Sequence, residues 1–225
     1  MGIRIKLSIL VFCVLASINA SAAETKPPEV TVDGLHLVKG TEMARVYAKP
    51  DVDLSQYNRI LLLLPKVAFT KDWLKTQNQM RNQTIRKEDM QRIKSELAML
   101  FADVFKQELQ DVGGYVLVDS ADEDVLIVHP AIVDLNVVSP DTPATRNTRS
   151  LIAGIGSMTL YMELSDSVTG DMMVKAIDNK YRNDTSPIRM TNKVRNEAAA
   201  RDMLGEWAEL LRKGLDEART VVNGD

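Results

Sequence analysis

Acidic side chains form the densest group of potentially reactive residues in this chain. Asp119, Asp122, Glu123 and Asp124 lie close together in the sequence, and paired carboxylates can act as general acid and base. Their spacing does not match a calcium-binding EF-hand loop, which needs a glycine at position six and a glutamate at position twelve. Because the group falls between two predicted strands, we predict a solvated turn. A carboxylate-dependent hydrolase is therefore the least favoured function.

Nucleophilic and metal chemistry have few candidate residues. The chain has one cysteine, Cys13, and two histidines, His36 and His129, too few for a disulfide framework or a Cys/His zinc pattern. A Ser–His hydrolase needs a histidine beside a serine and an acid, and the sequence has no G-x-S-x-G segment to present that serine. We predict a protein that is not an enzyme and that has no metal or other cofactor.

Two weaker patterns have structural explanations. Gly154 and Gly156 precede a predicted strand, whereas the glycines of a dinucleotide fingerprint open a helix. Methionine thioethers can bind Cu(I), but methionine is also a flexible filler of hydrophobic cores. With no histidine beside them, we predict core packing for the methionines Met158, Met162, Met172 and Met173.

The best candidate for an interaction surface is the basic stretch from Lys71 to Lys94. It contains seven basic residues against three acidic ones, and it could meet an anionic lipid, a glycan or an acidic partner. Trp73 adds an aromatic side chain that could anchor a contact. We predict a surface formed by Trp73, Lys75, Arg81 and Arg86. The net charge of −3 argues against nucleic acid as a partner.

The first 22 residues have the three parts of a secretory signal peptide. Arg4 and Lys6 precede a short apolar segment, and small residues follow up to Ala22. Cys13 lies inside the apolar segment and follows a bulky phenylalanine, which argues against lipidation there. Residues 23–32 are predicted to be a short tether, and residues 33–225 a single domain. No other segment could cross a membrane, so we predict a periplasmic protein, with outer-membrane association as the alternative.

Hydrophobic periodicity predicts the order strand, strand, helix, four strands, helix. Two stretches are predicted to be surface loops: 71–83, which is polar and rich in Asn, Gln and Arg, and 139–150, which contains two prolines and three threonines. The second is long enough to be functional. The fold class is predicted as α+β, a mainly antiparallel sheet with two long helices packed on one face. The predicted strands lie at 42–48, 59–69, 115–118, 124–138, 158–164 and 172–177, and the predicted helices at 87–112 and 192–220.

Several short segments, in this order, resemble a known bacterial family. They are Asp33-Gly34-Leu35, Val46-Tyr47, Leu54-Ser55-Gln56-Tyr57-Asn58-Arg59-Ile60-Leu61, Asp72-Trp73, Gly113-Gly114-Tyr115, Asp124-Val125-Leu126, Gly156-Ser157-Met158 and Leu164-Ser165-Asp166-Ser167-Val168-Thr169-Gly170. The chain is identified by them as similar to the family of domains of unknown function numbered 3313. That resemblance implies an exported protein, often a lipoprotein, and implies no known activity. The element order also looks like small envelope domains that act through protein partners.

We therefore expect an exported, non-catalytic domain that binds another envelope component, most simply a protein. The alternative is a periplasmic protein that binds a small molecule or a lipid in a groove between the sheet and the helices. A large apolar pocket would favour that alternative. A hydrolase would instead require two converging carboxylates with shifted pKa values in one cleft.

Overall fold

The computed structural model describes residues 26–80, 85–137, 155–181 and 193–222. This part of the chain forms one eight-stranded sheet with helices against one of its faces. The strands are β1 (His36–Val38), β2 (Arg45–Ala48), β3 (Arg59–Leu62), β4 (Lys66–Phe69), β5 (Val116–Leu117), β6 (Val125–Val137), β7 (Ile155–Asp166) and β8 (Met172–Tyr181), and the helices are α1 (Trp73–Met80), α2 (Lys87–Lys106) and α3 (Lys193–Val222).

Five of the eight strands pair in an antiparallel manner, in the order β1-β2-β8-β7-β6. The β7–β8 hairpin turns at Gly170, whose φ of 72° favours glycine because a Cβ atom would be strained there. Along β7 the side chains of Met158, Leu160, Met162 and Leu164 are buried, and the alternating side chains are more exposed. The period of two in the sequence therefore correctly predicts one covered and one open face of this strand.

The prediction of a mainly antiparallel sheet is wrong, because the sheet is mixed. β3 pairs in parallel with both β5 and β6, and β4 pairs in parallel with β6. The physical reason is the connection: α1 and α2 lie between β4 and β5, and a strand–helix–strand crossover brings the second strand back parallel to the first. The sheet order at this end is β6-β3-β5, with β4 beside β6.

Two prolines lie where β3, β4 and β6 meet. The predicted strand at 59–69 is two strands, β3 and β4, separated by Leu63, Leu64 and Pro65. β6 runs without a break through Pro130, although a proline inside a strand favours an interruption. The Leu63 amide donates to the Val128 carbonyl (3.0 Å), and β4 begins to pair with β6 at Ala131. Pro130, which has no N–H to donate, therefore lies where β6 passes from β3 to β4.

The long helices agree with the predicted ones. α2 continues as a π-helical turn, Gln107–Val112, so the helical segment ends where the sequence predicts. Gly114, with a φ of 69°, follows it. The stretch 71–83, predicted to be a loop, is helical at Trp73–Met80. The side chain of Asn78 both accepts from the Ile85 amide (2.7 Å) and donates to the Ile85 carbonyl (3.0 Å), which joins α1 to the start of α2.

The core lies between one face of the sheet and the helices. α2 contributes buried side chains at three- and four-residue spacing, and α3 contributes Leu204, Trp207, Leu211 and Leu215. Phe101 and Phe105 of α2 stack with ring centroids 3.8 Å apart. The opposite face of the sheet carries Tyr161, which is 40% exposed. We call these the covered face and the open face.

Candidate functional site

A cavity of about 450 Å³ lies on the covered face, between the C-terminal half of α3 and strands β2, β8 and β7. Two rows of paired residues cross these strands and form its floor: Val46, Ala176 and Met162 in one row, and Ala48, Val174 and Leu164 in the other. Its volume falls in the range of ~300–1,000 Å³ that is typical of small-molecule sites. The roof comes from α3, through Leu210, Leu211, Lys213, Gly214, Leu215 and Glu217.

The interior of the cavity is aliphatic. Its walls carry leucine, valine, methionine and alanine side chains, and none of the described residues that line it has an aromatic ring. Among the described lining residues only Thr41 has a hydroxyl group, and that hydroxyl donates to the Met43 carbonyl (3.0 Å). A ligand inside would therefore gain dispersion contacts and few hydrogen bonds, so polar ligand groups would be penalised there.

One side of the cavity is closed by the β1–β2 connection, residues 39–43, which we call the strap. A buried carboxylate holds its end. Asp178 on β8 accepts from the Ala44 amide (2.9 Å) through Oδ1 and from the indole N–H of Trp207 on α3 (2.8 Å) through Oδ2. A single side chain, 8% exposed, thus ties the strap, the sheet and the roof helix together. This makes the cavity a pre-formed feature of the fold.

Charged residues of both signs surround the mouth. Lys39 and Glu42 come from the strap, Lys213 and Glu217 come from α3, and all four are exposed. The Lys213 ammonium lies 2.9 Å from a carboxylate oxygen of Glu209. The hydrogen bond to Glu209 raises the pKa of Lys213, and the charge of Glu42 adds to the effect. A polar ligand group would therefore meet water and charges of both signs at the mouth.

Gly214 leaves space in the roof. A Cβ atom at this position would have no heavy atom within 4 Å, and the residue lines the cavity. Gly205, also on α3, is equally uncrowded but does not line the cavity. The two glycines are therefore a matched pair for testing what the cavity does.

A second, shallower depression of about 330 Å³ lies at the end of the sheet near Tyr57 and Asp166. The Tyr57 hydroxyl donates to Asp166 Oδ2 (2.8 Å). Burial, followed by the bond to Asp166, raises the pKa of Tyr57 to about 12. The pKa of Asp166 is lowered, first by the Thr169 amide and then by Tyr57. Asp166 is therefore an ionised acceptor and Tyr57 a neutral donor. Their hydrogen bond stabilises the turn between β7 and β8.

The structure places the predicted interaction residues in different environments. Trp73 is 3% exposed: its ring stacks on Phe69 with centroids 4.3 Å apart, and its indole N–H donates to the Val137 carbonyl (3.1 Å). It packs in the core and cannot anchor an external contact in this conformation. Lys75, in the first turn of α1, and Arg86, immediately before α2, are both exposed. Arg81 lies outside the described residues.

The predicted acidic turn is held by an arginine. Arg59 at the start of β3 forms ion pairs with Asp122 (2.7 Å) and Asp124. These hydrogen bonds lower the pKa of both carboxyl groups, which is the opposite of what a general acid needs. Asp119 and Glu123 are exposed beside them.

The histidines and methionines are predicted to be structural, and the two histidines lie far from each other in the sheet. His36 lies on β1 and His129 on β6, four strands apart in the sheet, which corresponds to about 19 Å at ~4.8 Å per strand. Both are exposed. Met158 and Met162 are buried under the helices. Among the described residues, no group of three or more His, Cys, Asp or Glu side chains could hold a metal ion.

Sequence reasoning missed the cavity, because its residues come from five separate segments. Single alanines and glycines at Ala48, Ala176 and Gly214 leave the space, and each looks ordinary in its own element. A glycine inside a helical pattern is the one available signal, because glycine costs ~1 kcal/mol relative to alanine there. The predicted signal peptide, Cys13 and the 139–150 loop lie outside the described residues.

The fold and the site define an α+β protein whose sheet is covered on one face and holds a cavity beneath the last helix. A family model described as a protein of unknown function (DUF3313) matches residues 33–211. The chain therefore belongs to this family, and the resemblance noted in its sequence is confirmed. No match is found among curated proteins.

Three solved structures are distantly similar. A PelC dodecamer from Paraburkholderia phytofirmans has 9% identity and a TM-score of 0.35, with 73% of this chain and 96% of that chain covered. A PDZ domain protein from Parabacteroides distasonis has 10% identity and a TM-score of 0.35, with 72% and 33% covered. The rare lipoprotein B from Shewanella oneidensis has 11% identity and a TM-score of 0.29, with 74% and 98% covered. At these scores we draw no functional argument from them.

Crossing a bilayer requires a long, apolar helix. None of the described helices combines the length and the hydropathy needed to cross a bilayer.

Proposed function

We propose that this protein is an exported, non-catalytic binding domain whose ligand is a small apolar molecule held in the cavity beneath α3. The observation that carries the proposal is the aliphatic cavity of about 450 Å³, with walls from both the sheet and the helix. Such a pocket is the feature that favours ligand binding over the other functions considered. The Asp178 contacts support it further, because a pre-formed site loses less conformational entropy on binding.

The carboxylates support a non-catalytic role. In the acidic turn, Asp122 and Asp124 are both engaged by Arg59. None of the residues that line the cavity is a histidine or an aspartate, and its two glutamates are exposed at the mouth. A hydrolase would need an acid and a base directed at one substrate bond. Export rests on the basic, apolar and small-residue pattern of residues 1–22.

The test is calorimetric titration of the purified chain with 1-octanol and, separately, with 1-naphthol. We expect at least one of them to bind with one-site stoichiometry. Gly214→Leu should weaken that binding at least tenfold, because the new side chain on the roof helix occupies part of the cavity. Gly205→Leu, the matched control, should leave binding unchanged. Absence of binding by both molecules, or equal binding by both variants, would contradict the proposal.

A second candidate function is the one that the sequence favoured, an interaction module for another envelope protein. The specific observation in its favour is the open face of the sheet, where Tyr161 and Tyr181 are 40% and 68% exposed. Aromatic side chains are enriched in protein interfaces. Cross-linking in intact cells, followed by mass spectrometry, tests it with the variant Tyr161→Ser. A reproducible envelope partner that this variant loses would support the interaction module, and a capture unaffected by the variant would not.

A further inference from the structure

We propose that the cavity binds a single acyl chain, with the polar head of the amphipath left at the mouth. This inference deepens the proposed function and rests on it, since it names the chemical class that the same cavity recognises. Three properties of the cavity carry the argument: the chemistry of its walls, its size, and the distribution of its charges.

The chemistry of the walls selects an aliphatic ligand. Aromatic ligands are commonly held by rings that stack with them, and none of the described lining residues provides one. Sugars, nucleotides and amino acids need hydrogen-bond partners for their buried polar groups. The interior offers them almost none, because the Thr41 hydroxyl already donates to the Met43 carbonyl. Methyl and methylene groups against leucine, valine and methionine meet no such penalty.

The size of the cavity suits one chain. At about 450 Å³ it lies in the lower half of the ~300–1,000 Å³ range for small-molecule sites. The two floor rows extend across three neighbouring strands, β2, β8 and β7, which gives a slot about 10 Å wide at ~4.8 Å per strand. A slot of this width beneath a helix accommodates an extended chain along its floor.

The charged lining residues are exposed, and the floor of the cavity is apolar. Lys39, Glu42, Lys213 and Glu217 are exposed at the mouth, while Met162, Leu164 and Ala176 on the floor are nearly fully buried. An amphipath can therefore place its tail inside without taking its head out of water. Because charges of both signs are present, a head with both signs is accommodated as readily as a carboxylate.

The experiment is a calorimetric series with alkylphosphocholines of eight, ten and twelve carbons, each kept below its micellar concentration. Each added CH₂ should tighten Kd about fourfold, the equivalent of ~0.8 kcal/mol of buried methylene, until the chain fills the cavity. Ala176→Leu, which shortens the cavity from the floor, should move that plateau to a shorter chain. Gly214→Leu should weaken every member of the series at least tenfold, and Gly205→Leu should weaken none.

A free carboxylate tests whether the chain alone is recognised. Dodecanoate binding with the same sensitivity to Ala176→Leu identifies the acyl chain as the recognised group, and binding by dodecylphosphocholine alone identifies a lipid head as well. Both results support the proposal. The proposal is overturned if 1-naphthol binds in the cavity and the affinity of the alkylphosphocholines does not rise with chain length. In that case the cavity still binds a small apolar molecule, so the proposed function survives.

Discussion

The covered face of the sheet has two halves that are packed in opposite ways. Under α2, large rings fill the space: Phe101 and Phe105 stack on each other and are fully buried. Between the C-terminal half of α3 and strands β2, β8 and β7, the floor residues are aliphatic, and a cavity of about 450 Å³ remains. Protein interiors are normally packed with few voids larger than a water molecule. The filled half therefore stabilises the fold, and the hollow half is the part that we propose as the binding site.

The largest effect on the free energy of unfolding is expected when a large side chain in the filled half is replaced by a small one. Phe101→Ala should lower the free energy of unfolding by ~3–5 kcal/mol, the usual range for a buried aromatic ring. Leu210→Ala removes a partly exposed side chain that already borders the cavity. It should cost less than the ~2 kcal/mol at the lower end for buried leucines. Urea denaturation of both variants measures the difference, and equal losses would mean that the two halves are packed alike.

The next effect concerns Asp178, the carboxylate that joins the strap, the sheet and α3. Asp178→Asn has one oxygen for two donors, the Ala44 amide and the Trp207 indole, so one buried donor loses its partner. The free energy of unfolding should fall by ~1–3 kcal/mol. Because Asp178 holds Ala44, the residue after the strap, the strap should be held less firmly in the variant. Octylphosphocholine should therefore also bind more weakly. Unchanged binding with reduced stability would show that the strap does not depend on Asp178.

Two glycines should respond with opposite signs. At Gly113 a Cβ atom would lie 2.9 Å from the Leu109 carbonyl oxygen and from the Tyr115 ring, so Gly113→Ala should destabilise the protein by ~1–3 kcal/mol. At Gly214 a Cβ atom has open space, so Gly214→Ala should stabilise it by ~1 kcal/mol through helix propensity. Thermal denaturation of the two variants provides the measurement. A loss of stability at Gly214 would argue that the cavity is closed in solution.

The smallest effect on stability and affinity is expected for a substitution at the mouth of the cavity. Lys213→Ala removes an exposed ion pair with Glu209, and such pairs contribute ~0–1 kcal/mol. Stability should therefore hardly change, and the affinity for octylphosphocholine should change less than for Gly214→Leu. A loss of affinity as large as that of Gly214→Leu would show that the head group, rather than the chain, dominates recognition.

Much of the local structure could be predicted from the sequence because it depends on periodicity. The stripe on α2, the alternation along β7 and the turn at Gly170 each follow from the spacing of neighbouring residues. The strand directions could not be predicted in this way. Parallel pairing of β3 and β4 with β6 depends on the crossover through α1 and α2, which connects segments that are distant in the sequence.

The burial of Trp73 could not be predicted for a related reason. Trp73 stands in a polar stretch, which suggested an exposed side chain, but its environment depends on Phe69 and on Val137, 64 residues away. The residues adjacent to Trp73 in the sequence do not indicate such a contact. Lys75 and Arg86, whose long charged side chains favour water wherever they lie, are exposed as expected.

By itself, the sequence determined the family, the helices and the inward-facing residues, because these depend on residue type and short-range spacing. Tertiary structure alone decided the mixed direction of the strands, the burial of Trp73 and the cavity. A cavity is set by the volumes that distant segments fail to fill, and here Ala48, Ala176 and Gly214 come from three elements that meet only in the folded protein. Long-range packing, which no local pattern encodes, thus created the site that we propose for the ligand.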